Sequence, residues 1–194
     1  MDKYDASNDH YCYKNSSTLV NLLNIEDMDI LEAAEREITA KTVANVTFSE
    51  PPYDLAYMQS LHRELFSVLY SWASEVRTVD ISKGGTRFCT CSRIEAESAK
   101  QFNNLAKDGW LKGLEREEFC EKLAEYYCEF NMVHPFREGN GRVQRLLFEH
   151  LALAAGYELN WEHVDKSEWV QANIDGVYVN YEPMKNIFLT VVQS

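Results

Sequence analysis

Between His134 and Arg145 the chain reads HPFREGNGRVQR, and each polar residue in that run has a chemical use. His134 has an ordinary pKa of about 6.5. It can act at neutral pH as a general base, taking a proton from a hydroxyl nucleophile. Gly139, Asn140 and Gly141 enter a helix N-terminus, where free backbone N–H groups and the helix dipole favour an anion. Glycine lets backbone approach a phosphate closely and adopt the positive φ of an anion nest. Arg142 and Arg145 are spaced i, i+3, so they share a helix face within a turn of that nest. Arginine suits phosphate because its guanidinium is planar, bidentate and always charged. Glu138 would repel a phosphate unless a cation lay between them, and Mg²⁺ held by one carboxylate plus phosphate oxygens meets that need. Taken singly, the histidine could cap a helix end, the Gly-Asn-Gly could be a turn and the arginines a solvated face. Packed into one connection, they describe a phosphate-transfer site.

Those residues need two helices to hold them. The periodicity predicts one from about Glu117 to Val133, with Phe119, Leu123, Tyr126, Tyr127, Phe130 and Val133 as its apolar stripe. It predicts the second from about Gly141 to Ala155, with Val143, Leu146, Leu147, His150, Leu151 and Ala154 inward and Gly156 as C-cap. Upstream, a helix is expected within Ile25 to Val46, facing inward through Leu31, Ala34 and Ile38. Pro51 and Pro52 break the chain, and Asp54 can cap a strong helix over Leu55 to Val76, with Met58, Leu61, Leu65, Val68, Leu69, Trp72 and Val76 on its face. Residues 77–91, RTVDISKGGTRFCTC, place β-branched and aromatic residues on either side of Gly84-Gly85, which signals a hairpin. Ser92 with Glu95 forms a capping box for a helix carrying Ile94, Ser98, Phe102 and Leu105. Asp165 with Glu168 caps another, with Trp169, Ala172 and Ile174 inward, and Pro183 opens the last. The fold class is therefore all-α with one small β-hairpin, in a single domain over residues 1–194 that begins with an irregular segment to about Asn24.

Composition narrows the partners. The chain has 194 residues and a net charge of −12. A nucleic-acid ligand or an anionic membrane surface is disfavoured by that field, so a phosphate ligand needs a local pocket. No apolar run approaches the ~20 residues of a membrane span. Five cysteines, with no leader-like apolar stretch, read as reduced thiols in the cytoplasm. Cys89 and Cys91 form a C-x-C pair without a second pair at zinc spacing, so they read as ordinary strand side chains.

HPFREGNGRVQR resembles the Fic family motif HxFx(D/E)GNGRxxR at every specified position: His134, Phe136, Glu138, Gly139, Asn140, Gly141, Arg142 and Arg145. The resemblance extends over nearly the whole chain, from about Tyr11, and residues 77–91 look like the family's flap. It implies the helical Fic fold and transfer of AMP from ATP to a Ser, Thr or Tyr hydroxyl of a target protein, releasing pyrophosphate. It implies that His134 is the base and that Glu138 holds Mg²⁺ against the α- and β-phosphates. Gly139, Asn140 and Gly141 would cradle phosphates, Arg142 and Arg145 would bind the β/γ end, and Phe136 would anchor the loop. The flap residues Gly84, Gly85, Thr86, Arg87 and Phe88 would clamp the target peptide by strand pairing, which reads backbone more than sequence. Phosphotransferring relatives of the Doc type carry a lysine where Gly141 stands, so AMP transfer is favoured. Use of other nucleotides stays open, as does a silent nucleotide-binding module.

The same resemblance raises the question of restraint. Many Fic proteins are inhibited by a helix bearing (S/T)xxxE(G/N), whose glutamate pairs with the second motif arginine. Ser60 with Glu64 and Ser71 with Glu75 match only its first part, since Leu65 and Val76 follow. The expectation is therefore a separate small antitoxin that docks on Arg145, in a bacterial, cytoplasmic toxin–antitoxin pair. Elsewhere, His62 and His150 read as structural and Tyr126–Tyr127 as packing, while Asn160–Trp161 and Gln171–Asn173 are candidates to line the base or ribose.

Overall fold

The computed structural model describes residues 9–193, so residues 1–8 of the expected irregular N-terminal segment lie outside it. Seven helices carry the fold among the described residues: α1 (Met28–Val43), α2 (Leu55–Phe66), α3 (Ile94–Lys107), α4 (Arg116–Val133), α5 (Asn140–Ala155), α6 (Lys166–Val177) and α7 (Glu182–Val191). The amphipathic α4 is the hub, and α3, α5, α6 and α7 all pack on it. Helix α2 packs on α5, and α1 on α2. Phe119, Leu123, Tyr127 and Phe130 of α4 meet Val143, Leu147, Phe148 and Leu151 of α5 in one buried core. The expected α4 and α5 thus form within a residue of their predicted starts. Gly156 ends α5 at φ +91°, as a glycine C-cap should.

The predicted hairpin is present but short. Strand β1 (Ser82–Lys83) pairs antiparallel with β2 (Thr86–Arg87), with Lys83 opposite Thr86. Gly84 and Gly85 take φ of +54° and +86°, the two positive values that a tight two-residue turn requires. A second pair, β3 (Glu158–Leu159) with β4 (Val192–Gln193), was not anticipated. The cysteines are all free thiols. No helix among the described residues is long and apolar enough to cross a membrane.

Four local expectations need correction. Helix α2 stops at Phe66 rather than Val76, and the chain turns through Ser74 at φ +82°. That turn folds back on α2: the Ser74 amide donates to His62 Nδ1 at 2.8 Å, and Gln59 donates to the Ser74 carbonyl. Val68, expected inward, consequently lies 56% exposed. On α1 the fully buried residues are Leu31, Glu35 and Thr39, with Ala34 and Ile38 only half-buried beside them, so a carboxylate sits within the expected apolar face. Ser92 does not cap α3: a 3₁₀ turn over Cys91–Arg93 leads into it without a side-chain cap. Asp165 does cap α6 as expected, but Ile174 on that helix faces solvent.

Candidate active site

The motif forms the connection between α4 and α5, and its geometry follows from how each helix ends. α4 terminates at His134, which adopts the left-handed conformation at φ +45°. Its Nδ1 lies 2.6 Å from the Asn131 carbonyl. A carbonyl only accepts, so Nδ1 carries the proton and the lone pair is on Nε2, the tautomer a base needs. Burial pushes the imidazole down to about 3, with the Arg77 and Lys83 cations adding to the effect, so it is neutral at physiological pH. The Phe88 ring from the end of the flap stacks on it at 3.8 Å between centroids.

Arg77 is a residue that the sequence reading placed only at the start of the hairpin. It is 1% exposed and donates to four carbonyls, those of His134 at 2.8 Å, Val79 at 2.7 Å, Val133 at 3.5 Å and Cys89. Its own amide donates to Pro135. One side chain thereby satisfies carbonyls at the end of α4 and ties both legs of the flap to the motif loop. The Cys89 amide adds a bond to the Met132 carbonyl.

The loop is closed from inside by Asn140. Its Oδ1 accepts from the Phe136 amide and its Nδ2 donates to the Phe136 carbonyl, both at 2.8 Å. The side chain thus staples the loop, with one N–H of Nδ2 committed to the Phe136 carbonyl. Phe136 is fully buried, stacked on His62 at 4.1 Å, as an anchor should be. His62 accepts from Ser74 at Nδ1, so its Nε2 holds the proton and donates to the Glu138 carbonyl at 3.1 Å. The expected structural role of His62 is therefore a specific one, since it pins the backbone of Glu138.

The two glycines differ. Gly139 is the N-cap of α5 at φ +81°, and a Cβ there would lie 2.4 Å from the Phe66 ring. Gly141 is helical, with nothing within 4 Å of where its Cβ would be. Glu138 is buried, and its Oε1 accepts from the Gly139 amide at 2.9 Å and lies 3.5 Å from Arg142. Burial and the nearby Glu35 carboxylate push Glu138 above the ordinary carboxylate range, while Arg142 opposes them. Arg142 is tied to Glu35 of α1 and lies over the Phe66 ring at 4.7 Å. Arg145, by contrast, makes no ion pair or hydrogen bond among the described residues, and is half-buried one turn further along α5. Arg137 is anchored to Asp9 at 2.5 Å, which fastens the N-terminal segment to the loop.

Of the flap residues Phe88 reaches His134, Arg87 is exposed and pairs with Asp80 at 3.1 Å, Thr86 pairs with Lys83 across the hairpin, and Gly84–Gly85 form the exposed tip. A groove of about 480 Å³ runs beside them, lined by Arg87, Phe88, Thr90, Met132 and Val133 among others. The candidate base- or ribose-lining residues have partners within the chain. Trp161 donates to Glu149, Asn173 to the Trp169 carbonyl and Gln171 to Asp175, while Asn160 accepts from Glu162. His150 meets the Tyr57 hydroxyl at 2.6 Å and is structural, and Tyr127 is core.

A neutral histidine at one end of a rigid loop and a glycine-capped helix N-terminus with two arginines at the other make a helical phosphate-transfer domain. Residues 52–152 match the model of the Fic/DOC family. The chain belongs to that family. It is 39% identical over 193 residues to a probable protein adenylyltransferase Fic of Escherichia coli K12, covering 100% of this chain and 96% of the relative. It is 36% identical over 187 residues to the protein adenylyltransferase VbhT of Bartonella schoenbuchensis, covering 95% of this chain but 39% of that longer protein. Among solved structures, the BepC protein of Bartonella tribocorum with bound AMPPNP superposes with a TM-score of 0.87 at 29% identity, covering 94% of this chain and 96% of that one.

Proposed function

We propose that the chain is a protein adenylyltransferase that moves AMP from ATP to a Ser, Thr or Tyr hydroxyl of a target protein. The observation that carries this reading is His134: neutral, tautomerically fixed and seated beneath the flap at the end of the phosphate-binding loop. The hydroxyl oxygen attacks the α-phosphorus while its proton passes to His134 Nε2, and the bond to the β-phosphate oxygen breaks to release pyrophosphate. The backbone N–H groups at the start of α5 and the guanidinium groups of Arg142 and Arg145 stabilise the phosphate charge.

Glu138 suits Mg²⁺ that arrives with the nucleotide. No group of three His, Cys, Asp or Glu side chains is gathered among the described residues, so the other ligands would be phosphate oxygens and water. The short β2 strand offers the edge on which a target segment lies, with Phe88 at its end above His134. Arg145, with no ion pair among the described residues, is the position for the γ-phosphate and for the glutamate of an antitoxin helix bearing (S/T)xxxE(G/N). The five thiols suit work in the bacterial cytoplasm.

Transfer of radiolabel from α-labelled ATP to a protein in a bacterial lysate, dependent on His134, tests the activity. Absence of such transfer by the wild type would contradict it. A helix carrying the antitoxin motif should suppress that transfer by the wild type and lose its hold on an Arg145→Ala variant. Equal inhibition of both would remove Arg145 as the docking point.

A further inference from the structure

Helix α1 lies outside the residues that match the family model, yet its buried face reaches the motif. Glu35 is at the centre of that face and is 1% exposed. A buried carboxylate is costly unless both of its oxygens are satisfied. Here they are: Oε2 accepts from the Tyr70 hydroxyl at 2.5 Å, and Oε1 is paired with Arg142 Nη2. One turn along α1, Thr39 donates its hydroxyl to the Glu35 carbonyl at 2.8 Å and presents the same oxygen to Arg142 Nη1 at 3.3 Å. The guanidinium is therefore gripped at both terminal nitrogens by α1 and braced on its face by Phe66. Its side chain remains 23% exposed, enough to meet a ligand at the start of α5.

We propose that Glu35 is the positioning residue for Arg142, holding its guanidinium in the orientation that receives the nucleotide phosphates. Arginine carries five N–H donors, so two can be spent on α1 while others remain for phosphate. A side chain already ordered by Glu35 and Thr39 loses little freedom when ATP arrives, whereas an untethered arginine must be immobilised at that moment. The proposal rests on the reading that Arg142 contacts nucleotide phosphates, and α1 then acts as a second platform for the site.

Titration with AMPPNP and Mg²⁺ of the wild type, Glu35→Gln, Arg142→Gln and the double variant tests it without requiring transfer. Glu35→Gln keeps the shape and the acceptor for Tyr70 but removes the charge. Affinity should fall about tenfold in Glu35→Gln. The double variant should bind no more weakly than Arg142→Gln alone, because Glu35 acts only through that arginine. Should Glu35→Gln fail to fold, Thr39→Val removes the second grip, and a loss of a few-fold that vanishes in the Arg142→Gln background is expected of it. Unchanged or tighter binding by the Glu35 variant, or losses that multiply in the double variant, would overturn the proposal. A wild type that binds AMPPNP but transfers no AMP would overturn the adenylyltransferase reading and leave this one standing. A wild type without affinity for AMPPNP would overturn both.

Discussion

Replacing Gly139 with alanine should destabilise the fold, while the same change at Gly141 should not. Gly139 sits at φ +81°, a conformation that costs a residue with a Cβ roughly 1–2 kcal/mol. The added methyl would also lie 2.4 Å from Cε2 and Cζ of Phe66. That ring cannot step aside. It is fully buried, stacked on His62 at 4.8 Å and covered by the Arg142 guanidinium at 4.7 Å. Overpacking of this kind costs about 1–3 kcal/mol, so Gly139→Ala should lose about 2–5 kcal/mol. Gly141 is helical with open space around it, and alanine there should stabilise the helix by up to about 1 kcal/mol. The methyl would nevertheless occupy the approach to the start of α5, so nucleotide affinity should fall although stability does not. Denaturant unfolding followed by circular dichroism reads the first effect, and AMPPNP titration reads the second. If the two alanine variants unfolded at the same denaturant concentration, the distinction between a structural Gly139 and a ligand-facing Gly141 would be refuted.

Further outcomes follow from the same geometry. His134→Ala should lower the rate of AMP transfer by about 10²–10⁴-fold while the protein still unfolds cooperatively, checked by radiolabel incorporation beside a melting curve. Arg77→Leu should cost about 3 kcal/mol in denaturant unfolding, because a buried charged donor to four backbone carbonyls is removed. His62 has its folded-state pKa lowered to about 4, chiefly by burial, so between that value and about 6.5 the unfolded chain binds more protons. Its contribution is complete above pH 6.5 and declines as pH falls. The stability gap between wild type and His62→Gln should therefore narrow by roughly 2 kcal/mol between pH 7 and pH 5 in paired unfolding curves. A gap that widened on acidification would show that His62 is charged in the folded protein.

The site was legible because its chemistry is contiguous. His134 to Arg145 states the base, the nest and the arginines in one run, and α4 and α5 declare themselves by period. What the sequence hides is set by distant partners. Arg77 looks like the first residue of a hairpin, but its acceptor on His134 lies 57 positions away. Glu35 looks like one of several surface acids on α1, and its partner Arg142 is 107 positions away. The apolar period of α2 runs on through Leu69 and Trp72, so it overshoots a turn held by bonds linking Ser74 back to His62, Gln59 and Arg63. Strands β3 and β4 are two residues each, too short for any alternation to register. Asn140 shows another limit: its place in the motif suggests phosphate, and its side-chain bonds to both backbone groups of Phe136 could not be read from it.

The central claim is that this site transfers AMP, and the position of the label in ATP decides it. Incubated with a bacterial lysate, the wild type should place label on protein from ATP labelled at the α-phosphate and none from ATP labelled at the γ-phosphate. Label from the γ-position alone would make the chain a phosphotransferase, and label from neither would leave it a nucleotide-binding module; either result would contradict the account.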